Sequence, residues 1–150
     1  MTPHIRIFPH SQEEFPSEET LTMWLLTGLK ASGGKYLLRS SKAIADLPAG
    51  SIAFFRYGHV IAGEAVVLGY VLESTKGRTL TGKEYEYQAY VRFSPSSIRV
   101  YAPPVRVGTL QSLIGESPNI IPSAQPYFKI EDWTVYPRLL AVIAQSGAFL

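Results

Sequence analysis

Residues 51–71, SIAFFRYGHVIAGEAVVLGYV, limit the possible folds more than any other part of the chain. Val, Ile, Phe and Tyr dominate this stretch, and such side chains favour extended backbone. Gly58-His59 divides it in two. A glycine first in a two-residue loop suits the tight turn of a hairpin. Counting outward from Tyr57 opposite Val60 predicts Phe54 opposite Gly63 and Ala53 opposite Glu64. Ile52, Phe54, Ile61, Ala65 and Val67 would then share one face. Phe55, Tyr57, Val60, Ala62 and Glu64 would share the other. Both faces are apolar, so both need cover. A barrel interior on one side and a packed helix on the other would provide it.

Shorter elements surround this hairpin. HIRIF reads as an extended piece, and Ser17 followed by Glu18 and Glu19 reads as a helix start. The next segment, TLTMWLLTG, suits a helix or a strand equally well. KASGGKY is a loop by its Gly-Gly pair, and residues 40–50 allow a turn or two of helix before Pro48. KEYEYQAYVRF alternates as one half-exposed strand, with Tyr85, Tyr87, Ala89, Val91 and Phe93 on one face. SSIRVYAPPVRV gives another strand, stopped by Pro103-Pro104. VGTLQSLIG is a short helix or turn, and SPNIIPSAQP is a loop. A helix closes the chain: Tyr136, Leu139, Leu140 and Ile143 recur at helical spacing, Asp132 or Thr134 can cap it, and Gly147 can stop it. The expectation is a single α+β domain over residues 1–150: a small mixed β-barrel of five or six strands with two or three short helices.

Composition narrows the class. Charged residues make up only 17% of the 150, too few for disorder, and 46% are apolar, enough for a core. A net charge of +2 does not mark a strongly basic nucleic-acid binder but permits a local basic patch. With no cysteine there is no disulfide framework and no thiolate metal site, which fits a reducing cytoplasm. The N-terminal residues show no signal-like apolar run, and no stretch is long and apolar enough to span a bilayer. The expectation is a soluble cytoplasmic protein without a membrane partner.

Signatures of catalysis are missing from the sequence. It has no Gly-x-Ser-x-Gly elbow, no phosphate loop with its lysine, and no His-Glu-x-x-His. His4 and His10 are poorly spaced as ligands, and His59 sits at a turn where an exposed polar residue is usual. Glu64 is more informative. It lies inside an apolar strand, where a carboxylate needs a partner or a raised pKa. A structural pair with an arginine such as Arg39 would serve, and so would a place in a pocket. Among the aromatics, Trp24 and Trp133 stand beside hydroxyl or acidic residues and are the best placed to stack a flat ligand. Lys35, Arg39, Ser40, Ser41 and Lys42 form a basic-hydroxyl loop, and Lys76 and Arg78 form another basic pair. Such groups suit phosphates, though they also occur on ordinary solvated loops.

The order of TMWLL followed by RSSKAIADLPAGSIAFFRYGHVIAGEAVVLGYV resembles the PUA-like superfamily, and within it the EVE domain. In that family a Trp-containing first strand precedes a basic loop, a Gly-Asp-led strand ending in Phe-Tyr, and a hairpin continuing Ile-Val-Gly. Here LPAGSIAFFRYG and VIAGEAVVLGYV stand for the two hairpin strands, with Ser51 where the acid usually follows Gly50. The resemblance covers about residues 21–73. SPSSIRVYAPPV and YFKIEDWTVYPRLL are loosely compatible with it. It implies a pseudobarrel, kin to YTH, ASCH and SRA domains, that reads a modified nucleobase in DNA or RNA. By position it implies Trp24 as the first-strand aromatic, Arg39, Ser40 and Ser41 as the loop beside the pocket, and Tyr57 as one pocket wall.

With Glu64 and Trp133 added from the reading of the residues, the expected base pocket is Trp24, Arg39, Ser40, Ser41, Tyr57, Glu64 and Trp133. Lys35, Lys42, Lys76 and Arg78 are the expected phosphate contacts. Recognition of this kind calls for no cofactor, no metal and no catalytic residue, and a nuclease encoded elsewhere is a possible partner. Two alternatives stand beside it. One is a structural or partner-binding domain. The other is an ASCH-like hydrolase of a nucleoside or RNA, which would need Glu64 beside a lysine or histidine.

Overall fold

The computed structural model describes residues 2–40, 44, 46–114, 121 and 128–146. Its elements are β1 (Ile5–His10), α1 (Glu18–Trp24), β2 (Lys35–Leu38), β3 (Ile52–Tyr57), β4 (Val60–Val71), β5 (Thr75–Arg78), β6 (Glu84–Tyr87), β7 (Ala89–Phe93), β8 (Arg99–Arg106), α2 (Val107–Ile114), β9 (Lys129–Ile130) and α3 (Val135–Ser146). The class is α+β, with a seven-stranded sheet, three α-helices and a separate two-stranded arm, β5–β6. Among the described residues no helix is long and apolar enough to cross a membrane.

The ambiguous segment after Ser17 is a helix. The Ser17 hydroxyl accepts from the Thr20 amide at 3.2 Å, and Glu18 and Glu19 occupy the first turn. α1 then widens into a π-turn over Leu25–Leu29. Leu21, Leu25 and Leu29 are buried at a spacing of four, whereas Met23 is 66% exposed. A strand would have placed Leu21, Met23 and Leu25 on one face, so burial follows the helical period.

The hairpin forms at Gly58-His59, but its register departs from the simple count. Tyr57 pairs with Val60 as expected; Phe54, however, pairs with Glu64, and Phe55 with Gly63, because a bulge intervenes. A Cβ on Gly63 would lie 2.3 Å from the Arg99 carbonyl oxygen. The glycine therefore admits the backbone of β8, not the ring of Phe54. The bulge also exchanges the faces of β4. Ile52, Phe54 and Ile61 pack with α2 and α3, as does Val66. Ala65 and Val67 lie on the other side with Ala53, Phe55 and Ala62.

Two further expectations change. KEYEYQAYVRF is two strands: β6 pairs with β5, while β7 pairs with β2 and β4. The prolines do not stop β8 either. Its ladder to β4 passes from Val100↔Gly63 to Val105↔Ile61, and Pro103 and Pro104 sit in the loop-out between, where no ladder donor is required.

Pairing follows the order β2-β7-β4-β3-β1-β9, with β8 also on β4; β1 and β3 are parallel and the other pairs antiparallel. β9 pairs with the start of β1, at Ile5 and Arg6. Beyond it the sheet curls until β1 faces β2. The rings of Phe8 and Tyr36 stand 5.4 Å apart, yet no ladder joins the two strands among the described residues. That unzipped seam lies above the inner core of Phe8, Phe55, Val91 and Phe93.

Candidate functional site

The seam between β1 and β2 is a groove with two adjoining compartments of about 240 Å3 and about 390 Å3. Trp24, Gly28, Ser32, Lys35 and Arg78 help to line the first. Pro9, Ser11, Arg39, Ser40 and Arg56 help to line the second. His10, Glu14, Tyr36, Leu37 and Tyr87 line both and form the waist where they meet.

Each wall has a local origin. Trp24 reaches the groove from helix α1, not from the first strand that the resemblance implies, and its ring lies 5.4 Å from Phe15 and 5.9 Å from Tyr36. A Cβ at Gly28 would fall 2.5 Å from Trp24 Cδ1, so only glycine lets the indole settle against the helix. The β5–β6 arm supplies the roof: Gly77 packs under the Tyr87 ring and against Leu37. The arm is tied across the groove by the Thr81 hydroxyl, which donates to the Glu13 carbonyl, and by Lys83 with the Glu13 carboxylate at 3.7 Å.

The floor is polar and enclosed. His10 Nδ1 lies 3.1 Å from the Arg56 carbonyl oxygen, and Nε2 lies 2.6 Å from the Tyr36 hydroxyl. Burial depresses His10 to about 4, outweighing its backbone hydrogen bonds, so the ring is neutral at physiological pH. Burial pushes the Tyr36 phenol well above its ordinary value. Glu14 is also raised by burial, with the charge of Arg39 pulling it partly back. Tyr87 is raised by burial and by Glu14. Of the lining cations, Arg39 lies 4.3 Å over the Tyr85 ring, Lys35 lies 4.6 Å over Tyr90, and Arg78 is 3.3 Å from Glu84, whereas Arg56 is buried and donates from Nε to the Gly58 carbonyl at 2.8 Å. Among the described residues no cluster of His, Asp and Glu gathers as a metal site.

Of the residues expected from sequence, Trp24, Lys35, Arg39, Ser40 and Arg78 meet at this groove. Tyr57 does not line it. Its ring packs on the inner core, and its hydroxyl donates to the Phe15 carbonyl at 2.8 Å, which braces the loop beneath the aromatic wall. Lys76 is exposed on the arm and does not line the groove. Ser41 and Lys42 lie outside the described residues.

Glu64 and Trp133 belong to the opposite side of the sheet. Glu64 is buried and accepts hydrogen bonds from the hydroxyls of Tyr101, at 2.8 Å, and Tyr136. Its partners are tyrosines, not the arginine expected, because the bulge turns it away from Arg39 and toward α3. Trp133 packs against the outer core with α2 and α3.

Sequence reasoning missed His10, Glu14, Phe15, Tyr36 and Tyr87 as lining residues. Tyr87 carried a signal in the alternation of KEYEYQAY. His10 and Tyr36 carried none, since each sits in a short strand and their bond joins positions 26 residues apart. The sequence matches no protein-family model, and no curated protein is significantly similar to it.

Proposed function

We propose that the chain is a nucleic-acid-binding module, a PUA-like pseudobarrel of the EVE type, that holds a nucleobase in the β1–β2 groove. The observation that carries this reading is an aromatic-walled seam rimmed by cations. Trp24 and Tyr87, both only partly buried, are the rings on which a base can stack, while Lys35, Arg78 and Arg39 line the groove where flanking phosphates would lie. The curl that brings β1 opposite β2 supports the pseudobarrel, with the seam in place of its last ladder. The adjoining compartments leave space beyond an unmodified base, which favours a modified one. Binding of this kind breaks no bond: the base leaves its stack, enters the groove and is held by stacking and edge contacts.

The test uses intrinsic fluorescence, since the chain has two tryptophans and only Trp24 lines the groove. Short oligonucleotides would be titrated at low salt, single- and double-stranded, plain or carrying 5-methylcytosine, 5-hydroxymethylcytosine or N6-methyladenine. Quenching should depend on the modification, persist in Trp133→Phe and vanish in Trp24→Ala. The latter variant should weaken binding by roughly 1–3 kcal/mol, the value of one base–aromatic stack. Arg78→Gln should weaken all sequences alike and lower the salt slope by about one. Absence of any response from every oligonucleotide would sink the proposal.

A partner-binding role rests on a different observation. Leu68 and Leu72, near the end of β4, are 52% and 67% exposed. It becomes the better reading if no oligonucleotide binds. The hydrolase alternative loses its support from Glu64, which accepts from two tyrosine hydroxyls and lines neither compartment.

A further inference from the structure

The hydrogen-bond chain on the groove floor has a fixed direction. A carbonyl oxygen only accepts, so the contact between His10 Nδ1 and the Arg56 carbonyl requires a proton on Nδ1. A neutral imidazole carries one proton, so Nε2 is an acceptor. The Tyr36 hydroxyl 2.6 Å away must then donate to it. A hydroxyl with its proton committed in this way offers only lone pairs to anything else. Both His10 and Tyr36 line both compartments, so this acceptor stands at the waist. Glu14 lines both compartments too and adds carboxyl oxygens that accept.

We infer that the groove selects a flat heterocycle that turns an amino group toward Tyr36 and Glu14. The preferred class is an adenine- or cytosine-type base over a hypoxanthine- or uracil-type one. The inference rests on the nucleic-acid reading above and goes further, because it fixes which edge of the base is read. A carbonyl in place of the amino group would set oxygen against oxygen, leaving buried acceptors unpaired on both sides. A cationic occupant would also satisfy the acceptors, but Lys35, Arg39 and Arg78 around the rim oppose its entry.

The experiment compares single-stranded pentamers in two matched pairs, differing at the central base: cytosine against uracil, and adenine against hypoxanthine. Trp24 quenching and fluorescence anisotropy would report affinity. In each pair the amino base should bind about tenfold tighter or more. In Tyr36→Phe that ratio should fall toward one while quenching at saturation persists. Glu14→Ala, at a less buried position, gives a second reading of the same ratio if Tyr36→Phe does not fold by circular dichroism. Binding with equal affinity within each pair, or with preference for the oxo base, overturns this inference and leaves the nucleic-acid reading standing. Failure of all four pentamers to bind overturns both.

Discussion

At His10 a second proton meets two obstacles. Nε2 already takes the Tyr36 proton, and burial removes the water that would solvate a charge. The unfolded chain takes that proton near 6.5, whereas the folded chain resists it to about 4. Between these values the unfolded state binds more protons, so stability falls as pH drops from about 6.5 to about 4 and levels off below. The full loss is on the order of 3 kcal/mol. His4 acts in the same direction, lowered by burial and by Arg6. Glu14 acts in the opposite direction: its raised value gives stability at low pH that is lost as pH rises through its folded pKa. Urea midpoints measured between pH 7 and pH 4 should fall, and His10→Gln should flatten that dependence. An unchanged slope in the variant would assign the acid sensitivity elsewhere.

At the scale of elements, β4 is organised by its close approach to β8. Gly63→Ala would place a Cβ within 2.3 Å of the Arg99 carbonyl, a backbone atom that cannot swing aside. One strand must move, and the cost should be roughly 1–3 kcal/mol, read as a lower urea midpoint. Gly69→Ala is the control, since nothing lies within 4 Å of a Cβ there. The same contact explains what could be read from the sequence. The turn at Gly58-His59 and the helix start at Ser17 are local, and residues within reach of one another specified them. The register was not local. It depends on β8, a strand far along the chain, and a bulge of one residue reverses every face beyond it. Glu64 was misplaced for that reason alone. Trp24, Lys35, Arg39 and Arg78 were legible as an aromatic and cations near loops. The floor they surround was not, because His10 and Tyr36 meet only after the sheet has curled.

Across the whole molecule the sheet separates two cores with different duties. The inner one carries the groove, and the outer one anchors α2 and α3. Tyr136 fastens α3 to the sheet through Glu64, and burial together with that carboxylate raises its phenol well above its ordinary value. Tyr136→Phe removes one hydrogen bond to a buried acidic group and should cost about 1.5–3 kcal/mol. Because that contact lies across the sheet from the groove, oligonucleotide affinity of the folded variant should stay within twofold of wild type. A large loss of affinity with stability intact would mean that the two sides are coupled. The groove itself has a shape with its own consequence. Its compartments adjoin under a tied arm, and each is lined by cations, Lys35 and Arg78 in one and Arg39 in the other. A cul-de-sac suits the terminus of a polymer or a free metabolite. Two adjoining open compartments suit a strand that lies along both and presents one unit where they meet, so position along the polymer would matter less than the identity of that unit.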